Sequence, residues 1–380
     1  MKKMICLFLM LVSLALAVPA YAESPAAPNL GILSPSSVLM EASTGRILYE
    51  NNADEQRPIA SVTKIMTMLL IMEAIDEGKI NYDTMVPVSE RAMSMGGSTM
   101  FLEAGEQLSV HDMLKGIAVA SANDGCVAMA ECLAGSESAF VEMMNARAQQ
   151  LGMANTHFIN TNGLDDENHY SSARDVALMS RELLTHPDIF QFTTIWTDSL
   201  RDGKFQLANT NKLIRFYEGA NGLKTGSTSQ AKCCLSGAAK RDGMQLIAVV
   251  LGAPNSKQRF NDARALLDYG FASYSVKELV REGDVFGEAT VQNGLMGTVQ
   301  AVAKSSYSYL SEKGKDDSIE QEIQLTENLR APVYHGDLIG TIQLKKDGQI
   351  IGQTDLIAAE TIEAKSFLKN LRDNICRIFA

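Results

Sequence analysis

Histidine is scarce in this chain, with five among 380 residues. None stands in an HExxH pattern or beside cysteine at a ligand spacing, so no metal site is expected. No cofactor is called for either. Basic charge is also short: 34 lysines and arginines face 45 acids. The net charge is −11, and loss of Lys2 and Lys3 would take it from −11 to −13. A nucleic-acid partner would need a basic surface and is not expected. The cysteines do not read as a disulfide scaffold. Beyond Cys6 in the N-terminal apolar run they are Cys126, Cys132, Cys233, Cys234 and Cys376, an odd number without framework spacing. They read as small buried apolar residues, with Cys233 and Cys234 on opposite faces of a strand.

The first residues form a targeting segment. Met4 to Val18 is apolar behind Lys2 and Lys3 but too short for a comfortable bilayer span. Ala20-Tyr21-Ala22 matches a signal-peptidase site, so residues 1–22 read as a removed export signal. Residues 23–35 read as a linker rich in Pro, Ser and Ala.

The spacing of apolar residues then predicts the elements. A hairpin is expected over Ser37–Glu50, around Ser43-Thr44-Gly45. A buried helix is expected over Ser61–Glu77, with Val62, Ile65, Met66, Leu69 and Leu70 at helical steps. His111 to about Leu184 reads as mostly helical. A second hairpin spans Lys232–Leu251 with its turn at Arg241-Asp242-Gly243, and an amphipathic helix spans Ser256–Tyr274. Residues 36–275 thus read as one α/β (α+β) domain. Short β-type segments fill 276–362, among them Val285–Val291 and Leu338–Leu344, the latter ahead of a turn at Lys345–Gly348. They predict a small all-β domain. Residues 363–380 place Phe367, Leu368, Leu371, Ile375, Ile378 and Phe379 on one helical face and Lys365, Lys369, Arg372 and Arg377 on the other. Such a helix lies in a membrane interface or packs on the protein's own body.

Three short motifs carry chemistry. SxxK occurs three times, at Ser61–Lys64, Ser229–Lys232 and Ser366–Lys369, and only the first starts a strongly apolar helix. Its spacing puts both side chains on one face, with Ser61 as nucleophile and Lys64 as base. A lysine base needs its pKa depressed, by burial and by a second cation such as Lys224. Lys224 should keep its own charge by exposure to an anionic substrate. Ser121-Ala122-Asn123 follows an apolar run. Ser121 is the candidate proton relay, and Asn123 the residue that holds Lys64 and a substrate amide. In Lys224-Thr225-Gly226-Ser227-Thr228, Gly226 lets a substrate strand approach the backbone. The N–H groups of Ser61 and Ser227 are the candidate oxyanion hole.

In order and context these residues resemble the penicillin-recognising serine enzymes, and within them the low-molecular-mass penicillin-binding proteins that act as serine-type D-alanyl-D-alanine carboxypeptidases. The stretches Ser121–Glu131, Gly152–Phe158, Asn162–Asp165 and Tyr170–Asp175 share in the likeness. The resemblance implies a transpeptidase/β-lactamase-like catalytic domain, with helices around an antiparallel sheet, beside a small β domain. It also implies a terminal amphipathic helix on the outer face of the bacterial cytoplasmic membrane. The implied reaction removes the terminal D-alanine from peptidoglycan stem pentapeptides through an acyl-enzyme on Ser61, with covalent inhibition by β-lactams, which mimic the substrate's terminal dipeptide. Lys224, Thr225, Thr228 and Arg259 stand where the family meets the substrate's strand and carboxylate. A β-lactamase and a non-catalytic penicillin-binding wall protein are the competing readings.

Overall fold

The computed structural model describes residues 28–315 and 318–366. The expected export signal, residues 23–27 of the linker and residues 367–380 lie outside the described residues.

Among the described residues, a five-stranded antiparallel sheet organises the larger region. β1 (Ser36–Glu41) turns back into β2 (Ile47–Asn51). β3 (Ala220–Thr228), β4 (Lys232–Arg241) and β5 (Met244–Ala253) arrive much later in the chain. The order is β2-β1-β5-β4-β3, with Val38 opposite Val249 and Met40 opposite Ile247. Both expected hairpins form. The first turns because the Glu41 carboxylate accepts from the backbone and hydroxyls of Ser43 and Thr44 at 2.7–2.9 Å. The second turns at Asp242-Gly243, where both residues hold the positive φ of a type I′ turn.

Helices cover both faces of the sheet. α1 (Lys64–Asp76), α2 (Asn123–Ala134), α3 (Glu137–Gln150) and α4 (Ala173–Leu183) share one apolar core with Val38 and Met40 of β1. Leu39 points the other way, onto α5 (Ser256–Ser273) at Gly270. α1 is buried at ten of its 13 residues, because its apolar residues go round the whole helix rather than along one stripe. At its N-terminus α5 is capped by the Asn255 side chain, which accepts from Gln258 N at 2.9 Å. The last residues of the expected linker are anchored to α5. Leu33 N and Ser34 N donate to the Asp262 carboxylate at 3.4 and 2.9 Å.

The stretch from His111 to Leu184 is mostly helical as expected, but residues 151–172 interrupt it and hold only isolated bridges. Side chains of neighbouring helices satisfy this loop's backbone. Thr67 Oγ1 donates to Thr161 O at 2.6 Å, and Asn145 Nδ2 to Phe158 O at 2.8 Å. Such distant partners leave no local periodic signal. The helix expected from residue 363 does not begin there, because Ala364 bridges Gly294 and Lys365 N donates to Asn293 O at 2.7 Å.

The β module follows α5 directly. Tyr274–Val280 pairs with Tyr307–Glu312. Among the described residues a further six-stranded sheet runs in the order 319–325, 338–346, 349–358, 298–303, 285–292, 329–330. It closes its own core around Val299, Ile339, Ile342, Leu344 and Leu356. Among the described residues no helix is long and apolar enough to cross a membrane.

Candidate active site

Ser61 lies in a 3₁₀ turn, Ala60–Thr63, and the α-helix proper starts only at Lys64. The expected pair still meets, with Lys64 Nζ 3.0 Å from Ser61 Oγ. Lys64 is fully buried. Its other two contacts are the side-chain oxygen of Asn123 at 2.6 Å and the backbone carbonyl of Asn162 at 2.7 Å. Those two oxygens accept only, whereas the Ser61 hydroxyl can also donate. A neutral amine therefore fits completely: two N–H groups go to the carbonyls and the lone pair faces Ser61. Burial lowers the Lys64 pKa from 10.5 to about 8, against the opposing pull of Cys126 and Asp124.

Lys224 departs from expectation. It is buried, and its Nζ donates to Thr225 O at 2.9 Å. Burial, then the Lys64 cation, hold its pKa well below the ordinary lysine value. β3 is pressed against the turn before α1, so solvent does not reach the lysine as it would on an open strand edge. Two lysines thus share one dry site, and charging both at once is disfavoured.

The second motif lies on a strained corner. Ser121 holds the left-handed conformation at φ +62°, ending a π-helical turn over Gly116–Ala120. Ala122 is extended, and Asn123 starts α2. The corner turns Asn123 Oδ1 onto Lys64, while its Nδ2 donates to Gly96 O at 2.7 Å. Ser121 is joined to neither lysine by a hydrogen bond among the described residues. Asp124 is buried and accepts from Met100 N, Leu102 N and Gly125 N at 2.9–3.1 Å, which staples residues 100–102 to α2.

The strand edge meets Ser61 through Gly226. A Cβ there would stand 2.7 Å from Ile59 O and 2.9 Å from Ser61 N, so a side chain is excluded. Ser227 beside it is exposed. Arg259 is buried below and donates to Gly226 O at 3.0 Å and Cys234 O at 3.2 Å.

A family model described as D-alanyl-D-alanine carboxypeptidase matches residues 22–255. This chain belongs to the D-alanyl-D-alanine carboxypeptidase family. It is a serine peptidase of the low-molecular-mass penicillin-binding group. A second model, the C-terminal domain of penicillin-binding protein 5, matches residues 274–364. The D-alanyl-D-alanine carboxypeptidase DacF of Bacillus subtilis is 45% identical over 341 residues, covering 89% of this chain and 88% of that protein. DacC of Escherichia coli is 34% identical over 350 residues, covering 90% and 87%. The structure of penicillin-binding protein 5 from Haemophilus influenzae superposes with a TM-score of 0.72 at 34% identity, covering 87% of this chain and 98% of that one.

Three further residues border the enzyme's site without having been expected there. Asn162 takes part through its carbonyl, which any residue type could supply, so its identity carried no signal. Asp165 accepts the Thr228 hydroxyl proton at 2.6 Å. His169 is buried and lies 2.7 Å from Thr63 Oγ1. Asn162 and Asp165 fall in a stretch that carried the resemblance, but their contacts depend on a loop whose path the sequence does not reveal. Thr225 turns its hydroxyl to Thr210 Oγ1 at 2.6 Å. Of the cysteines, Cys126 and Cys234 are buried while Cys132 and Cys233 are half-buried. Burial pushes the Cys126 thiol up to about 12, and Cys376 lies outside the described residues.

Proposed function

We propose that the enzyme removes the terminal D-alanine from peptidoglycan stem pentapeptides through an acyl-enzyme on Ser61. Ser61 Oγ attacks the carbonyl carbon of the penultimate D-alanine and passes its proton to Lys64 Nζ. The carbon–nitrogen bond breaks, and the leaving amine takes up that proton, with Ser121 as relay. Water then cleaves the ester, and Lys64 serves again as base. The N–H groups of Ser61 and Ser227 receive the oxyanion, and Asn123 holds the substrate amide. Lys224 and Arg259 supply the positive environment for the terminal carboxylate, and Thr228 a hydroxyl donor. β-Lactams present the same carboxylate and a strained amide, so they acylate the same oxygen. The supporting observation is the buried shell of Lys64, in which two carbonyl oxygens and the Ser61 hydroxyl surround Nζ, so that once the amine is neutral its lone pair faces the Ser61 hydroxyl.

Within this reading residues 1–22 direct export and 36–275 carry the chemistry. The basic amphipathic segment up to residue 380 rests on the outer face of the cytoplasmic membrane. Removing residues 367–380 should abolish co-sedimentation with anionic vesicles while leaving D-alanine release unchanged.

The test of the reaction uses the exported chain with a peptide ending in D-Ala-D-Ala. Release of D-alanine is expected, together with a benzylpenicillin adduct on the Ser61 peptide by mass spectrometry. Ser61→Ala should lose both. A folded wild-type protein that releases no D-alanine overturns the assignment.

A further inference from the structure

The turn that carries Ser61 is held in an unusual conformation by residues outside the three motifs. Ala60 has φ +48°, a left-handed value that a non-glycine residue adopts at a cost. What holds it is a chain of hydrogen bonds with one direction. Ile159 N donates to His169 Nδ1 at 3.1 Å. That leaves His169 Nε2 to carry the ring proton and donate to Thr63 Oγ1 at 2.7 Å. The Thr63 hydroxyl then gives its own proton to Ala60 O at 2.8 Å. Only the neutral imidazole protonated at Nε2 satisfies every member of the chain. Burial supports that state, because it lowers the His169 pKa to about 4 against the pull of Asp166 and Asp165.

The consequence lies at the other end of the Ala60–Ser61 peptide. In a trans peptide the C=O and N–H bonds point in opposite directions. Anchoring Ala60 O to Thr63 therefore aims the Ser61 N–H away from it. β3 reaches the same peptide, since the absent Cβ of Gly226 would stand 2.9 Å from Ser61 N. Gly163 closes the turn from behind: a Cβ there would meet Ala60 O at 1.9 Å and Thr63 Oγ1 at 2.8 Å.

We propose that His169 is a positioning residue for acylation, aiming the Ser61 N–H into the oxyanion hole through Thr63 and the Ala60 carbonyl. The proposal rests on the reading of Ser61 as nucleophile. It concerns the transition state more than binding, because the oxyanion forms only as the carbonyl is attacked.

The test measures benzylpenicillin acylation of the full chain, separating the maximal acylation rate from the apparent affinity. His169→Leu and Thr63→Val should each slow the maximal rate about 30- to 300-fold, somewhat less than the roughly 100- to 1000-fold of losing one oxyanion donor outright. Apparent affinity should change less than about threefold. His169→Gln offers one acceptor and one donor, and Thr63→Ser keeps the hydroxyl, so both should stay within about threefold of wild type. The double variant His169→Leu/Thr63→Val should be no slower than the worse single variant, since both cut one chain. If His169→Leu does not fold, the Thr63→Val and Thr63→Ser pair carries the comparison. Full-speed acylation in Thr63→Val, multiplicative losses in the double variant, or a loss confined to affinity overturns the proposal. A wild-type chain that penicillin does not label at Ser61 overturns the functional reading, and this one with it.

Discussion

Thr228 and Asp165 join the two walls of the cleft, the hydroxyl at the end of β3 donating to the loop carboxylate at 2.6 Å. The same oxygen accepts from Ala231 N at 3.0 Å. The single hydroxyl proton is therefore committed to Asp165, and a substrate carboxylate arriving at Thr228 must displace one anion with another. Asp165→Ala should remove that competition. Acylation by benzylpenicillin at low concentration should become about three- to tenfold faster. Stopped-flow or gel-based labelling measures it, and an unchanged or slower rate would show that Asp165 does not compete.

The Lys64 shell sets a pH profile. Burial lowers this lysine to about 8, and in the proposed mechanism the neutral amine is the base. The acylation rate at low ligand concentration should therefore rise with pH and level off above about 8. Below that value it should fall about tenfold per pH unit. Lys64→Arg keeps a cation that does not deprotonate, so the rate should drop at least about 1000-fold at every pH. A profile centred near the ordinary lysine value would contradict the assignment.

Gly163 has no room for a side chain. Its φ is +86°, and a Cβ would meet Ala60 O at 1.9 Å, a backbone atom that cannot rotate away. Gly163→Ala should destabilise the protein by about 3 kcal/mol or more. Thermal unfolding followed by circular dichroism reads the loss, and acylation should slow with it because the Ser61 turn must shift.

Asp124 places a buried carboxylate where it accepts from Met100 N, Leu102 N and Gly125 N. Asp124→Asn turns one oxygen into a donor facing those N–H groups. A cost of about 2–4 kcal/mol is expected. Residues 100–102 should then exchange amide hydrogen faster, and hydrogen exchange with mass spectrometry resolves that segment from the rest.

Much of the fold is legible in the sequence. Alternation and turn chemistry locate the hairpins at Glu41–Ile47 and Asp242-Gly243, and apolar spacing finds α1 and α5. These features depend on neighbours a few residues away. The loop 151–172 is not legible, because its backbone is satisfied by Thr67 and Asn145 rather than by its own periodicity.

The candidate site divides in the same way. Residue type and spacing alone pair Ser61 with Lys64, since three residues of helical rise bring the side chains together. They also call for glycine at 226. Tertiary structure alone decides that the Asn162 carbonyl, 98 residues from Lys64, completes the amine's shell. It also decides that Lys224 is buried rather than open, and that His169 reaches Thr63 across 106 residues. The physical reason is that desolvation and hydrogen-bond direction belong to the packed surroundings of a group. Those surroundings are built by segments whose meeting no local pattern records.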